Sequence, residues 1–173
     1  MADYDVDVEW QAFELHPGIP LEGQELPWSP EQRAARGSNF ARLADEAGLE
    51  HGTRSHWYNS TPAHEAAEWA NEHGAGDAFR KGIYRAYFVL DQNIGSADVL
   101  AGIAQDLGLD ADELRAALSD GRYRERVEAQ YEQARAIGVT AVPTFLAEGY
   151  ALVGAHPYDN FHRLMEAAGA KRR

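Results

Sequence analysis

His64, Glu65, Glu68 and Glu72 recur at the three- and four-residue spacing of one helix face, which sets an imidazole beside three carboxylates. Such a group could ligate a metal. The spacing is not that of a built metal site, even with His51, His56 and His73 nearby in sequence, since nothing like His-Glu-x-x-His occurs. A solvated helix face explains it more simply, so no metal is expected. Carboxylates are plentiful elsewhere, but none forms a recognisable acid–base pair. Gly74 and Gly76 lie outside any strand-to-helix phosphate loop, and no serine–histidine–aspartate motif stands out. Trp57, Tyr58 and Trp69 could line an apolar cleft, and they serve equally well as core aromatics of a helical segment. Cysteine is absent from all 173 residues, which removes disulfides, zinc thiolates and sulfur nucleophiles. No residue is assigned a catalytic role, and no cofactor is expected.

One segment could act through its backbone instead. Ala141-Val142-Pro143-Thr144-Phe145 places a proline at the mouth of a β-branched and aromatic run. An ordinary trans proline at a strand start also explains it, because the first N–H of a strand is dispensable.

The elements that position these groups follow from periodicity. Residues 6–13 alternate, with Val6, Val8, Trp10 and Ala12 on one face and Asp7, Glu9 and Gln11 on the other, which predicts a half-buried strand. Pro17, Pro20 and Pro27 make residues 16–28 an irregular loop. Ser29-Pro30 opens a helix, with Gln32 closing a capping box, an apolar stripe of Ala34, Phe40, Ala41, Leu43, Ala44 and Ala47, and Gly48 as the stop. Thr61-Pro62 opens a second helix that Gly74 ends. Phe79, Ile83, Tyr84, Tyr87, Phe88 and Leu90 predict a buried third. Ser96 and Asp110 cap two more, Asp110 pairing with Glu113 in a second capping box, and a longer helix covers residues 123–137 before Gly138. The period then changes. Residues 142–147 and 150–153 read as a hairpin turning at Glu148-Gly149, and residues 157–168 as a last amphipathic helix on Phe161, Leu164, Met165 and Ala168.

A chain that is 45% hydrophobic has enough apolar side chains for a core. Its net charge of −12 repels nucleic-acid phosphates and anionic lipid surfaces, and also suits solubility in high salt. Neither nucleic acid nor membrane is expected as a partner. The first residues lack an apolar signal core, which makes the cytoplasm the default compartment.

The strand–helices–hairpin–helix order resembles the DsbA-like thioredoxin fold, and most closely its FrnE-type dithiol oxidoreductases and their 2-hydroxychromene-2-carboxylate isomerase relatives. Four segments carry the likeness: residues 8–15, Asn59-Ser60-Thr61-Pro62-Ala63-His64, Tyr84-Arg85-Ala86-Tyr87-Phe88, and Gly138 through Phe145 followed by Gly154-Ala155-His156-Pro157. The resemblance implies an α/β fold in which residues 1–28 and 139–173 form the thioredoxin-like part around a helical insertion at 29–138. It implies a cis Val142–Pro143 bond beside the family's reactive cysteines, with the Val142 backbone pairing to an extended substrate. Ala141, Val142, Pro143, Trp57 and His64 are the substrate-binding residues expected on this basis, and the partner is an extended peptide or a small molecule in that cleft.

The departure from the family is large. Its members begin with a strand and a Cys-x-x-Cys helix start, whereas this chain begins at what resembles the second strand. The chain is therefore expected to be redox-inactive as it stands. An upstream extension of the reading frame before Met1 is expected to encode the missing strand and motif; failing that, a homodimer or strand-donating partner would fill the sheet. A redox-dead binding protein and a glutathione-dependent isomerase-like enzyme stay open beside the oxidoreductase reading.

Overall fold

A computed structural model describes residues 3–173; Met1 and Ala2, on which the expectation of an upstream start touches, lie outside the described residues. The chain divides into two compact units, one of His16–Glu128 and one of Met1–Leu15 with Ala129–Arg173.

The larger unit contains α1 (Pro30–Glu46), α2 (Thr61–Glu72), α3 (Gly76–Phe88), α4 (Ala97–Asp106), α5 (Ala111–Asp120) and the start of α6 (Arg124–Ala136). Its core is built on α2, where Ala63, Ala66, Ala67, Trp69 and Ala70 are buried. The small residues let α3 and α5 approach α2 closely, and α4 packs against both. Trp69, Phe79, Leu100 and Leu114 fill the space between them without solvent exposure. Burying each such side chain contributes about 1.5–3 kcal/mol.

Two helix starts follow the expected capping chemistry, at Ser29 and Asp110, whereas Ser96 stands at the N-cap of α4 without a side-chain bond to the helix. Ser29 Oγ accepts from the Gln32 N–H at 3.3 Å while Gln32 Oε1 accepts from the Ser29 N–H at 3.0 Å, so both halves of the box are present. Asp110 Oδ1 accepts from the Asp112 and Glu113 amides at 3.0 and 2.9 Å. The reciprocal half of that second box is not made. The Glu113 carboxylate instead accepts from the Trp69 indole and, at 2.5 Å, from Arg122. The stripe expected on α1 is also thinner than its sequence suggests: only Ala44 is buried, and Phe40 stays 45% exposed, stacked on Phe88.

Residues 16–28, assigned from sequence to the thioredoxin-like part, belong to this helical unit. Three tethers hold them there. Asn59 Nδ2 donates to the Ile19 carbonyl at 2.7 Å, Asn93 Nδ2 donates to the Leu21 carbonyl at 2.8 Å, and β1 (Gln24–Glu25) pairs antiparallel with β2 (His56–Trp57). Two-residue strands carry no readable alternation, so this ribbon has no sequence signature.

The smaller unit holds the hairpin. β3 (Thr144–Ala147) and β4 (Tyr150–Val153) pair in register from Thr144 opposite Val153 to Ala147 opposite Tyr150. Glu148 and Gly149 both have positive φ, 46° and 85°, the backbone that a two-residue turn needs to match strand twist. α7 (Tyr158–Ala167) packs on β4 and supplies Leu164 and Met165 to a core completed by Tyr4, Val6, Phe145, Ala147 and Leu152.

Residues 6–13 do not form the strand that their alternation predicts. The neighbouring backbone is held at one end, by a Tyr4–Arg172 bridge and the Asp5 N–H to the Lys171 carbonyl at 2.9 Å. Farther along, the Ala12 N–H donates to Gln130 Oε1 at 2.8 Å. No ladder flanks the segment among the described residues, and Val8 and Trp10 are 60% and 46% exposed. Alternation fixes which side chains share a face, but a strand also needs a neighbour to exchange hydrogen bonds with. Instead of one central sheet, the described residues form two two-stranded sheets. No helix among them is long and apolar enough to cross a membrane.

Candidate functional site

The Val142–Pro143 peptide bond is cis, and it leads directly into β3. Two hydrogen bonds fix the residues around it. Thr144 Oγ1 donates to the Ala141 carbonyl at 2.7 Å, and the Gly154 N–H donates to the Pro143 carbonyl at 2.7 Å. Val142 itself is left out. Its N–H and C=O have no partner among the described residues, and the residue is 45% exposed. Ala141, Val142 and Pro143 thus form a short backbone platform at the mouth of the hairpin, on which the Ala141 N–H and both Val142 groups have no partner among the described residues.

Trp57 and His64 lie in the helical unit. Trp57 is half-buried on β2, where its ring meets His16 at 5.1 Å and Trp28 at 5.6 Å. His64 is half-buried in the first turn of α2, and its backbone N–H donates to the Ser60 carbonyl at 3.0 Å. The three aromatics considered as one cleft serve different ends. Trp69 is fully buried, Tyr58 packs on the same core and donates to the Asp91 carbonyl at 3.1 Å, and Trp57 belongs to a separate aromatic group.

The carboxylates beside His64 are committed to α6. Glu65 pairs with Arg124 at 3.3 Å, Glu68 with Arg126 at 3.4 Å, and Glu72 with Arg126 at 3.0 Å and the Tyr123 hydroxyl at 2.7 Å. No group of three side chains suited to a metal occurs among the described residues. Burial raises the Glu65 carboxyl above its ordinary range, a shift that Arg124 opposes. Burial and the bond to Glu72 push Tyr123 up to about 12.

Sequence reading did not find one polar constellation. Ser55 Oγ donates to the Asp91 carboxylate, the Ser55 N–H reaches both Asp91 oxygens at 3.1 and 3.0 Å, and His56 Nδ1 lies 2.7 Å from Ser55 Oγ. With the serine proton on the carboxylate, the imidazole must be the donor to the hydroxyl. That is the reverse of a nucleophilic triad, where the imidazole takes the serine proton. The set ties the loop before β2 to the residues after α3. Asp91 lies 36 residues from Ser55, so no local motif could have revealed it.

The model of the DsbA-like thioredoxin domain matches residues 1–166. The uncharacterised protein YwbO of Bacillus subtilis is 30% identical over 175 residues, covering 97% of this chain and 85% of YwbO. The crystal structure of the probable DsbA oxidoreductase SCO1869 from Streptomyces coelicolor superposes with a TM-score of 0.82 at 31% identity, over 92% of this chain and 74% of that one. A solved protein from Nitrosomonas europaea, at 18% identity and a TM-score of 0.67 over 84% of this chain and 77% of its own, shares the fold. A family match over residues 1–166, with a relative 30% identical across 97% of the chain, places this protein in the DsbA-like thioredoxin family of thiol–disulfide oxidoreductases.

Proposed function

We propose that these 173 residues are the peptide-holding portion of a DsbA-type oxidoreductase of the FrnE-type branch, and that they perform no thiol–disulfide exchange by themselves. In exchange, a thiolate attacks one sulfur of a disulfide. A new S–S bond forms as the old one breaks, the departing sulfur leaves as a thiolate, and a second thiol displaces the first from the mixed disulfide. Both attacking groups are sulfur, and this chain has no cysteine. Any exchange at this site would need thiols that these 173 residues do not supply.

The unpaired Val142 backbone carries the reading. An extended peptide laid along the mouth of the hairpin gains two main-chain hydrogen bonds there, one to the N–H and one from its own N–H to the C=O. Ala141 and Pro143 flank that contact, and the exposed Val142 side chain offers an apolar surface beside it.

Two measurements test the proposal. The purified chain should leave insulin disulfides and a dithiol model peptide at the buffer rate, and turnover above that rate would refute its redox silence. Titration of ¹⁵N-labelled chain with an extended apolar peptide should shift the amide signals of Ala141, Val142 and Thr144 in a saturable way. Silence at those amides with millimolar peptide would refute the peptide-holding role.

A further inference from the structure

A second surface of the small unit has the make-up of a ligand site. A shallow cleft of about 260 Å³ opens between β4 and α7. Its apolar wall comes from Tyr150, Leu152, Leu164 and Ala167, and its polar edge from Asn160 and Arg163.

Arg163 is unusual in this chain. Every other arginine among the described residues meets a carboxylate, a hydroxyl or an aromatic face. Arg163 meets none, although acidic side chains outnumber basic ones by 28 to 16. Its guanidinium stands beside apolar side chains with all of its donors open.

Asn160 is held in place from behind. His156 Nε2 lies 2.8 Å from the Val153 carbonyl, so that nitrogen carries the proton, and Nδ1 is left to accept from Asn160 Nδ2 at 3.0 Å. The second Asn160 N–H and its carbonyl oxygen remain available at the rim.

We infer that this cleft binds a small organic anion, with its carboxylate on Arg163 and Asn160 and its apolar body on Tyr150, Leu152, Leu164 and Ala167. The guanidinium fork matches a carboxylate in two parallel N–H···O bonds. The volume falls just below the range of about 300–1,000 Å³ typical of drug-sized ligands, so the occupant is a single ring or a short alkyl chain. The site uses neither the cis-proline platform nor any thiol, and it stands or falls apart from the peptide-holding role.

Phenylacetate, its neutral amide and acetate distinguish the parts. Titrated into ¹⁵N-labelled chain, phenylacetate should give saturable shifts at Leu152, Asn160, Arg163, Leu164 and Ala167. Phenylacetamide should bind at least tenfold more weakly for want of charge, and acetate should give no saturable shift for want of a body. Arg163→Gln, an exposed substitution, should keep a folded spectrum and lose the preference for the anion. Ala167→Phe should block the cleft and abolish binding while Arg163 stays. Equal binding of acid and amide, unchanged affinity in Arg163→Gln, or no saturable shift with millimolar phenylacetate would each overturn the assignment.

Discussion

Trp69 is the point at which the helical unit is most exposed to a single substitution. The residue is fully buried in α2, its ring lies 4.3 Å from His73 and 6.2 Å from Phe79, and its indole N–H donates to the Glu113 carboxylate of α5. Trp69→Ala removes the largest side chain of this core and leaves a cavity that the surrounding α3, α4 and α5 cannot close. Truncations of this kind cost about 3–5 kcal/mol, a large share of the roughly 5–15 kcal/mol that holds a domain folded. Trp69→Phe separates packing from hydrogen bonding. It keeps an aromatic body and loses the donor, yet Glu113 is not stranded, because its side chain is 33% exposed and still bonds Arg122. The cost should therefore fall near the low end of the roughly 1–3 kcal/mol of an orphaned buried acceptor. Urea denaturation followed by far-ultraviolet circular dichroism reads both numbers without depending on the fluorophore that the mutation removes, and the midpoint should move at constant slope. A cost under about 1 kcal/mol for Trp69→Ala, or equal costs for the two variants, would refute the placement of Trp69 as the central packing residue.

Glu65→Gln tests the buried carboxyl. Burial raises its pKa more than Arg124 lowers it, so the folded state holds this proton more tightly than the unfolded chain does. Its stabilising contribution is present below the ordinary value of 4.5 and is lost as pH rises through the raised folded value. The glutamine variant should flatten the fall in stability from that pH toward neutrality, and an unchanged pH slope would contradict the assignment. Gly52→Ala should destabilise by about 1–3 kcal/mol, because its new methyl group would stand 2.3 Å from the Val89 carbonyl oxygen, a backbone atom that cannot swing away. A thermal melt matching that of the parent chain would show that the loop yields. Ser29→Ala should cost about 1 kcal/mol through loss of the α1 cap, read as a shift in urea midpoint; no shift would mean that α1 forms without its box.

Which parts of this architecture were legible depended on whether the signal was local. The α1 and α5 starts, the stop at Gly74 and the turn at Glu148-Gly149 are fixed by chemistry within four residues, and the structure has them where the sequence puts them. The proline at 143 was legible in the same way, through its place at a strand mouth. Non-local pairings were not legible. Asn59 and Asn93 tie residues 16–28 to the helices across separations of 40 and 72 residues, which is why the boundary expected at 28 lies instead at 15. Glu113 was legible as a capping residue by spacing, but the Trp69 indole, 44 residues away, claims its carboxylate. The strand expected at 6–13 fails for a related reason: its pattern is local, and a ladder is not.

The same distinction bears on what the cis-proline platform can reveal of its use. A catalytic side chain announces itself by type, since only a few groups carry protons or electrons at neutral pH. A platform made of the Val142 N–H and C=O has no such identity, because every residue except proline owns both groups. What singles out position 142 is geometry: Thr144 Oγ1 takes the Ala141 carbonyl, Gly154 takes the Pro143 carbonyl and proline has no N–H, so of the three only Val142 keeps both a donor and an acceptor unpaired. Sequence therefore marks the frame, a threonine after the proline and a glycine ten residues further on, rather than the residue whose backbone is left open. Any side chain at 142 other than proline leaves those two main-chain groups in place. On the proposed peptide-holding role, main-chain bonds would hold any extended segment alike, and discrimination between peptides would fall to the exposed apolar side chains around the hairpin mouth, Val142, Leu146, Tyr150 and Val153.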